Sequence, residues 1–242
     1  MSIQRNRERN KVISMARRSL AGLLMMAVTG YCSQVEAGVA LGSTRVIYPA
    51  GQKQVQLAVT NNDEKSTYLI QSWIENANGK RDGLFIITPP LFSMKGKKEN
   101  TLRIIDATNK TLPQDRESLF WVNVKAIPAI DKSKLNDNML QLAIISRIKF
   151  YYRPANLALS PDQAAGKLRF QRNGSGLKLV NPTPYYLTVT DLNIGNRTLE
   201  NALVPPMGEV LVKMPAGAGG NITYRTINDY GALTPRMDAV LQ

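Results

Sequence analysis

From about residue 38 onward, apolar and polar residues alternate one for one in short runs. Val55, Leu57 and Val59 alternate with Gln54, Gln56 and Ala58. Phe120, Val122, Val124 and Ala126 alternate with Trp121, Asn123 and Lys125. The pattern returns at Leu187 and Val189, at Val210, Val212 and Met214, and at Ile222 and Tyr224. A repeat of two places every second side chain on one face of a strand, so these segments are strands with one buried face. Turn residues separate them: Tyr48-Pro49-Ala50-Gly51, Asn61-Asn62-Asp63, Asn76-Ala77-Asn78-Gly79, Thr88-Pro89-Pro90, Asn181-Pro182-Thr183-Pro184 and Pro205-Pro206-Met207-Gly208. No amphipathic helical pattern exceeds two turns. Many short strands between frequent turns predict an all-β chain built as β-sandwiches.

The first 37 residues break the pattern. Arg5, Arg7, Arg9, Lys11, Arg17 and Arg18 form a basic leader, and residues 19–30 form a short apolar run. Val35 and Ala37 then supply small residues before Gly38. This is the layout of a cleaved secretory signal, with cleavage between Ala37 and Gly38. The apolar run is too short to span a bilayer, which takes about 20 residues. That argues against an uncleaved anchor, and Tyr31 before Cys32 argues against a lipoprotein signal. Removal leaves 205 residues without cysteine, since Cys32 is the only one. It takes six basic and two acidic residues, lowering the formal charge from +13 to +9. No later run approaches 18 apolar residues, so no stable membrane insertion is expected. A soluble bacterial export product belongs in the periplasm. Without disulfides, it must be held by its core.

That core is best divided in two. The seam lies at Tyr152-Arg153-Pro154-Ala155, where a long strand meets a proline that cannot continue a ladder. The expected domains are 38–153 and 154–242.

The absence of histidine removes much chemistry: no Ser-His-Asp triad, no Cys-His pair, no Cys/His zinc site. Ser146-Arg147-Ile148-Lys149 matches the Ser-x-x-Lys pattern of β-lactamases. On a strand, however, its ends point to opposite faces, and the companion motifs are absent. No enzyme, cofactor or metal is expected. The positive charge is spread over strands and loops, with clusters only at Lys95-Gly96-Lys97-Lys98 and Lys132–Lys134. Nucleic-acid binding is therefore not expected.

Residues 138–151 stand apart. One parity holds Leu140, Leu142, Ile144, Ser146, Ile148 and Phe150; the other holds Met139, Gln141, Ala143, Ile145, Arg147, Lys149 and Tyr151. Both faces of the first half are largely apolar. Either this is a central strand with ordinary burial, or its second apolar face is reserved for a partner that adds a strand to its edge. An exposed apolar edge is a hazard that proteins normally avoid.

Several blocks carry a family resemblance. They are Gly38-Val39-Ala40-Leu41, Thr44-Arg45-Val46-Ile47-Tyr48-Pro49, Thr88-Pro89-Pro90, Arg116-Glu117-Ser118-Leu119-Phe120-Trp121, Ile148-Lys149-Phe150-Tyr151-Tyr152-Arg153-Pro154, Asn181-Pro182-Thr183-Pro184-Tyr185-Tyr186 and Asn228-Asp229-Tyr230-Gly231-Ala232. In this order the chain resembles the periplasmic chaperones of the chaperone–usher fimbrial pathway, specifically the FimC-like members that serve type 1 and closely related fimbriae. The resemblance implies two immunoglobulin-like domains arranged in an L. It implies binding of fimbrial subunits and adhesin by donor-strand complementation, a known form of strand addition, and delivery to the outer-membrane usher. Neither ATP nor metal is implied. Arg45 and Lys149 match the pair that anchors the subunit's C-terminal carboxylate. Leu140, Leu142 and Ile144 match the side chains lent to the subunit. Glu117, Arg153 and Asp229 match an inter-domain ionic cluster. Residues 129–138 match the loop before the donor strand, whose short length fits the subclass that assembles rod-like fimbriae. A structural fimbrial subunit, or another secreted immunoglobulin-like binding protein, is the alternative. Subunits of that kind usually carry a disulfide and an N-terminal donor extension.

Two expectations concern geometry. Lys149 lies five residues from Ile144, so a regular strand points them to opposite faces; a bulge, bend or added twist between them would let them act together. The Thr88-Pro89 isomer is left open, as are the cognate subunits and the shielding of the free donor edge, for which self-association is one route.

Overall fold

The computed structural model describes residues 38–130 and 140–242. The signal segment, Ala37, Cys32, Lys132–Lys134 and most of the 129–138 loop lie outside the described residues.

The first nine strands are β1 (Val39–Leu41), β2 (Arg45–Pro49), β3 (Val55–Asn61), β4 (Tyr68–Asn76), β5 (Phe85–Thr88), β6 (Leu91–Met94), β7 (Glu99–Asp106), β8 (Ser118–Pro128) and β9 (Ile144–Arg153). They form two sheets, ordered β1-β3-β7-β5 and β2-β9-β8-β4-β6. Leu57, Val59, Leu102 and Ile104 from the first meet Ile70, Val122, Phe120 and Phe150 from the second in one buried cluster. Its aromatic centre is Phe85, edge-on to Phe150 at 4.7 Å and to Phe120 at 4.9 Å. The alternation of β8 is expressed directly: Phe120, Val122, Val124 and Ala126 are buried. The Thr88-Pro89 peptide is cis.

After Arg153 the chain runs through one helical turn, α1 (Pro161–Ala164), and a 3₁₀ turn (Ala165–Lys167). Eight strands follow: β10 (Arg169–Asn173), β11 (Gly176–Asn181), β12 (Leu187–Ile194), β13 (Arg197–Thr198), β14 (Ala202–Val204), β15 (Gly208–Lys213), β16 (Ile222–Thr226) and β17 (Met237–Ala239). They build a β10-β11-β15 sheet and a β13-β12-β16-β17 sheet, with β14 also pairing β12. A second, separate cluster includes Phe170, Leu177, Leu179, Val189, Ile194, Val204, Ile222 and Tyr224. The protein is mostly β, with two sandwiches and two cores.

Two features of strand pairing and burial matter for function. β9 pairs with β8 without interruption, from Ser118 opposite Tyr152 to Ala126 opposite Ile144. No bulge interrupts the pairing between Ile144 and Lys149, so of the bulge, bend or twist left open the first is absent, and the two residues point to opposite faces. In β12, Thr188 is buried together with Leu187 and Val189. Its one-sided alternation fails because the second face of β12 meets the other sandwich.

Candidate functional site

β2 lies parallel to the end of β9, with Arg45 opposite Lys149 and Pro49 opposite Arg153. This pairing covers only residues 149–153 of β9. Among the described residues no strand pairs the same edge from Ile144 to Ile148. β9 thus carries a covered half and an open half.

The covered half faces the second sandwich. Lys149 Nζ donates to Thr188 Oγ1 at 3.1 Å, and Arg45 Nη1 donates to the Ile227 carbonyl at 3.1 Å. Burial holds the Lys149 ammonium below its usual range, and the neighbouring Arg45 charge pushes the same way. Arg45 Nε and the Tyr151 hydroxyl are buried without a well-placed partner among the described residues. Burial also pushes the Tyr151 hydroxyl up to about 12. Two half-buried cations with spare donors can receive an acceptor-only group such as a carboxylate.

Arg153 ends β9 and joins both sandwiches. Its Nε donates to Glu117 Oε1 at 2.8 Å, while Nη1 and Nη2 fork onto Asp229 at 2.6 and 2.8 Å. The guanidinium also lies 5.0 Å from the Tyr185 ring centre. Burial opposes the Arg153 charge, but Asp229 and Glu117 outweigh it and raise the guanidinium's pKa. Burial raises Glu117, with Arg153 pulling it back in part. The sequence reason is local. Asn181 accepts from the Thr183 backbone and hydroxyl and donates to the Tyr185 carbonyl, folding residues 181–186 into a tight turn. That turn delivers the Tyr186 N–H to Glu117 Oε2 at 2.8 Å and the Pro184 carbonyl to the Glu117 N–H at 2.9 Å. A cavity of about 550 Å³ lies here, lined by Arg45, Glu117, Tyr151, Arg153, Tyr186 and Asp229 among others.

Residues 228–232 close the same region. Asn228 Oδ1 accepts from the Tyr230 and Ala232 N–H groups, and Gly231 sits at φ +84°. A Cβ at Gly231 would run into the Thr44 hydroxyl, so the turn approaches β2 as closely as a glycine allows.

The open half is different. Leu140 is 81% exposed, Leu142 68% and Ile144 64%. Ile145 is exposed as well, so the expectation of a central strand with ordinary burial fails for this segment. Leu140 and Leu142 precede the strand proper, and the Gln141 side chain donates to the Pro128 carbonyl at 2.7 Å. Ile144 shares its parity with buried Phe150, so the apolar row continues the core face past the edge of the core.

The structure therefore brings Arg45 and Lys149 together, and joins Glu117, Arg153 and Asp229. It leaves Leu140, Leu142 and Ile144 exposed, with Ile144 on the opposite face of β9 from Lys149. Sequence reasoning missed Thr188, Tyr151 and the Ile227 carbonyl. The parity of Lys149 points to Tyr151, whereas a backbone carbonyl leaves no trace in sequence. Among the described residues, no helix is long and apolar enough to cross a membrane.

The sequence matches two adjoining family models. Residues 38–158 match "Pili and flagellar-assembly chaperone, PapD N-terminal domain", and residues 163–237 match "Pili assembly chaperone PapD, C-terminal domain". The chaperone protein FimC of Escherichia coli K12 is 75% identical over 223 residues, 92% of each chain. The chaperone protein FocC of Escherichia coli is 68% identical, covering 92% of this chain and 98% of that one. Among solved structures, the periplasmic chaperone SfaE is 68% identical with a TM-score of 0.76, covering 84% of this chain and all of that one. The SafB chaperone of Salmonella enterica, solved in complex with the SafA pilin, is 33% identical with a TM-score of 0.76, covering 87% and 99%. With both sandwiches matched in order and such identity along nearly the whole chain, the protein belongs to the PapD-type pili assembly chaperones, a non-enzymatic family, and is FimC-like within it.

Proposed function

We propose that this protein is a periplasmic chaperone that captures fimbrial subunits and adhesin in its cleft and passes them to an outer-membrane usher. In this reading residues 1–37 are a signal removed after Ala37, and the two sandwiches are domains 38–153 and 154–242. Arg45 and Lys149 hold the subunit's C-terminal carboxylate. Leu140, Leu142 and Ile144 fill the gap left by the subunit's missing strand. Glu117, Arg153 and Asp229 set the angle between the domains. When no subunit is bound, self-association of the exposed row would shield it.

The observation that carries this reading is the β9 strand itself. Its open edge and exposed apolar row lie within nine residues of a half-buried pair of cations. Burying three such side chains contributes about 1.5–3 kcal/mol each. Each charge-assisted bond to a carboxylate contributes roughly 1.5–3 kcal/mol. The apolar row thus supplies at least as much affinity as the anchor, and the anchor fixes register, because a one-residue slip turns the wrong face inward. The relative solved with a pilin bound adds support. A structural fimbrial subunit is disfavoured, since the curated relatives are chaperones.

The test is co-expression with a fimbrial subunit and recovery from the periplasm, with wild type and Lys149→Ala in parallel. A one-to-one complex with wild type that is lost in the variant is the expected result. Equal recovery with both would place the subunit elsewhere than this cleft.

A further inference from the structure

The sheet β2-β9-β8-β4-β6 has one face in the core and one outside it. On the outer face, register aligns Arg45, Lys149, Trp121 and Glu75 in one row, and Arg147, Asn123 and Trp73 in the next. The Arg147 guanidinium lies 4.4 Å from the Trp121 ring centre, and Arg81 lies 4.5 Å from the Trp73 ring centre. Trp73 Nε1 donates to Glu75 Oε1 at 2.7 Å, and Arg147 reaches Glu75 Oε2 at 3.3 Å. The result is a continuous chain from Arg81 through Trp73, Glu75 and Arg147 to Trp121.

Three properties point to a partner. First, the face carries an excess of cations: Arg45, Lys149, Arg147, Lys125 and Arg153, with Arg81 stacked beside them, stand against Glu75 and Glu117. Second, stacking on an indole holds a guanidinium flat and fixed while its edge donors stay available. Arg147 spends one such donor on Glu75 and remains exposed, and Arg81 makes no ion pair among the described residues. Third, the face is continuous with the anchor, since Trp121 is the direct register partner of Lys149. A guest strand along the open edge from Ile144 to Ile148 would point every second side chain at this face, beside Arg147.

We propose that the two arginine–tryptophan stacks are a second contact surface for the captured subunit, one that receives acidic side chains on the subunit's face. This rests on the chaperone reading above and adds a selection rule to it. Subunits with carboxylates beside their terminal strand are drawn in faster than neutral ones. Fixed cations at the margin of a binding site act chiefly on association rate and its salt dependence.

The experiment is stopped-flow association of the mature protein with a fimbrial subunit diluted from denaturant, from about 20 mM to about 500 mM salt, where the screening length shrinks severalfold. Wild type is compared with Arg81→Gln, Arg147→Gln and Lys149→Ala. Each glutamine variant should associate roughly threefold to tenfold more slowly at low salt and converge on wild type at high salt. The Arg81 variant keeps the test valid even if loss of Arg147 disturbs Glu75. If both glutamine variants match wild type at low salt while Lys149→Ala loses capture, the second surface is wrong and the chaperone reading stands. No capture by wild type would overturn both.

Discussion

Arg45 and Lys149 are register partners on adjacent parallel strands of one sandwich, and each holds a group of the other sandwich. Arg45 grips the Ile227 carbonyl and Lys149 the Thr188 hydroxyl. Both bonds are to neutral acceptors. A carboxylate entering the cleft offers a stronger partner and competes for donors that otherwise tie the two halves together.

Replacing either cation should therefore affect capture far more than folding. For Arg45→Ala or Lys149→Ala, loss of one charge-assisted bond of about 1.5–3 kcal/mol predicts a drop of roughly tenfold to more than a hundredfold in subunit affinity. The melting temperature of the free protein should stay within about 2 °C. Titration of a subunit peptide ending in a free carboxylate, alongside thermal denaturation, checks both.

The same lysine gives a pH signature. Burial lowers its pKa from 10.5, and a bound carboxylate favours the charged form. Carboxylate affinity should fall as pH rises through the lowered value, and Lys149→Arg should remove the decline. For the free protein the sign is opposite. The fold holds this proton less tightly than the unfolded chain, so Lys149's contribution to stability grows as pH rises toward 10.5. Calorimetric titrations from neutral to alkaline pH distinguish the two effects.

Along β9, exposure separates binding from stability. Ile144→Asp should weaken subunit capture while leaving the free protein's melting temperature nearly unchanged, because Ile144 is 64% exposed. Phe150→Ala, six residues on with the same parity, should cost about 3–5 kcal/mol of stability. A large loss of stability in the Ile144 variant would make this segment core.

At the hinge, Arg153→Ala would leave the Glu117 carboxylate buried without its counter-charge, a loss of about 3–5 kcal/mol. Small-angle scattering should record a wider spread of inter-sandwich angles. Glu117→Gln should be milder, since it removes the charge that burial penalises. With its pKa raised above 4.5, Glu117 favours the fold at low pH, and this contribution is lost as pH rises through the raised value.

Gly231→Ala tests the closing turn. The φ of +84° and the approach to Thr44 both resist a side chain. The variant should lose about 1–3 kcal/mol of stability, read by thermal denaturation, and the displaced turn should loosen the Arg45 bond to the Ile227 carbonyl. Spectra of the two cores should be unaffected.

The sandwich architecture was legible because polarity tracks burial along most of β3 and β8, with Asn61 and Asn123 as buried exceptions. It failed at Thr188, whose burial comes from packing against the other sandwich. Between Ile144 and Lys149 the alternation predicted opposite faces, and the continuous register with β8 agrees. The ladder with β8 is unbroken there, and in the proposed reading the two faces serve different ends of the guest. Arg45, Lys149, Glu117, Arg153 and Asp229 could be named from matching blocks. The backbone carbonyls of Pro184 and Ile227 could not, because any residue supplies one. The tryptophan stacks depend on cross-strand register, which no run of residues encodes locally.

The unbroken pairing of β9 has a metric consequence. A strand advances about 3.3 Å per residue, so the step from Lys149 to Ile144 is a fixed length of roughly 17 Å along the sheet. β9 is then a gauge graduated in two-residue units. A guest whose last segment is one residue too long or too short presents its gaps out of phase with the lent side chains, however well its composition matches. In the proposed reading, what the protein measures in a subunit is therefore the distance from its chain end to its unfilled groove.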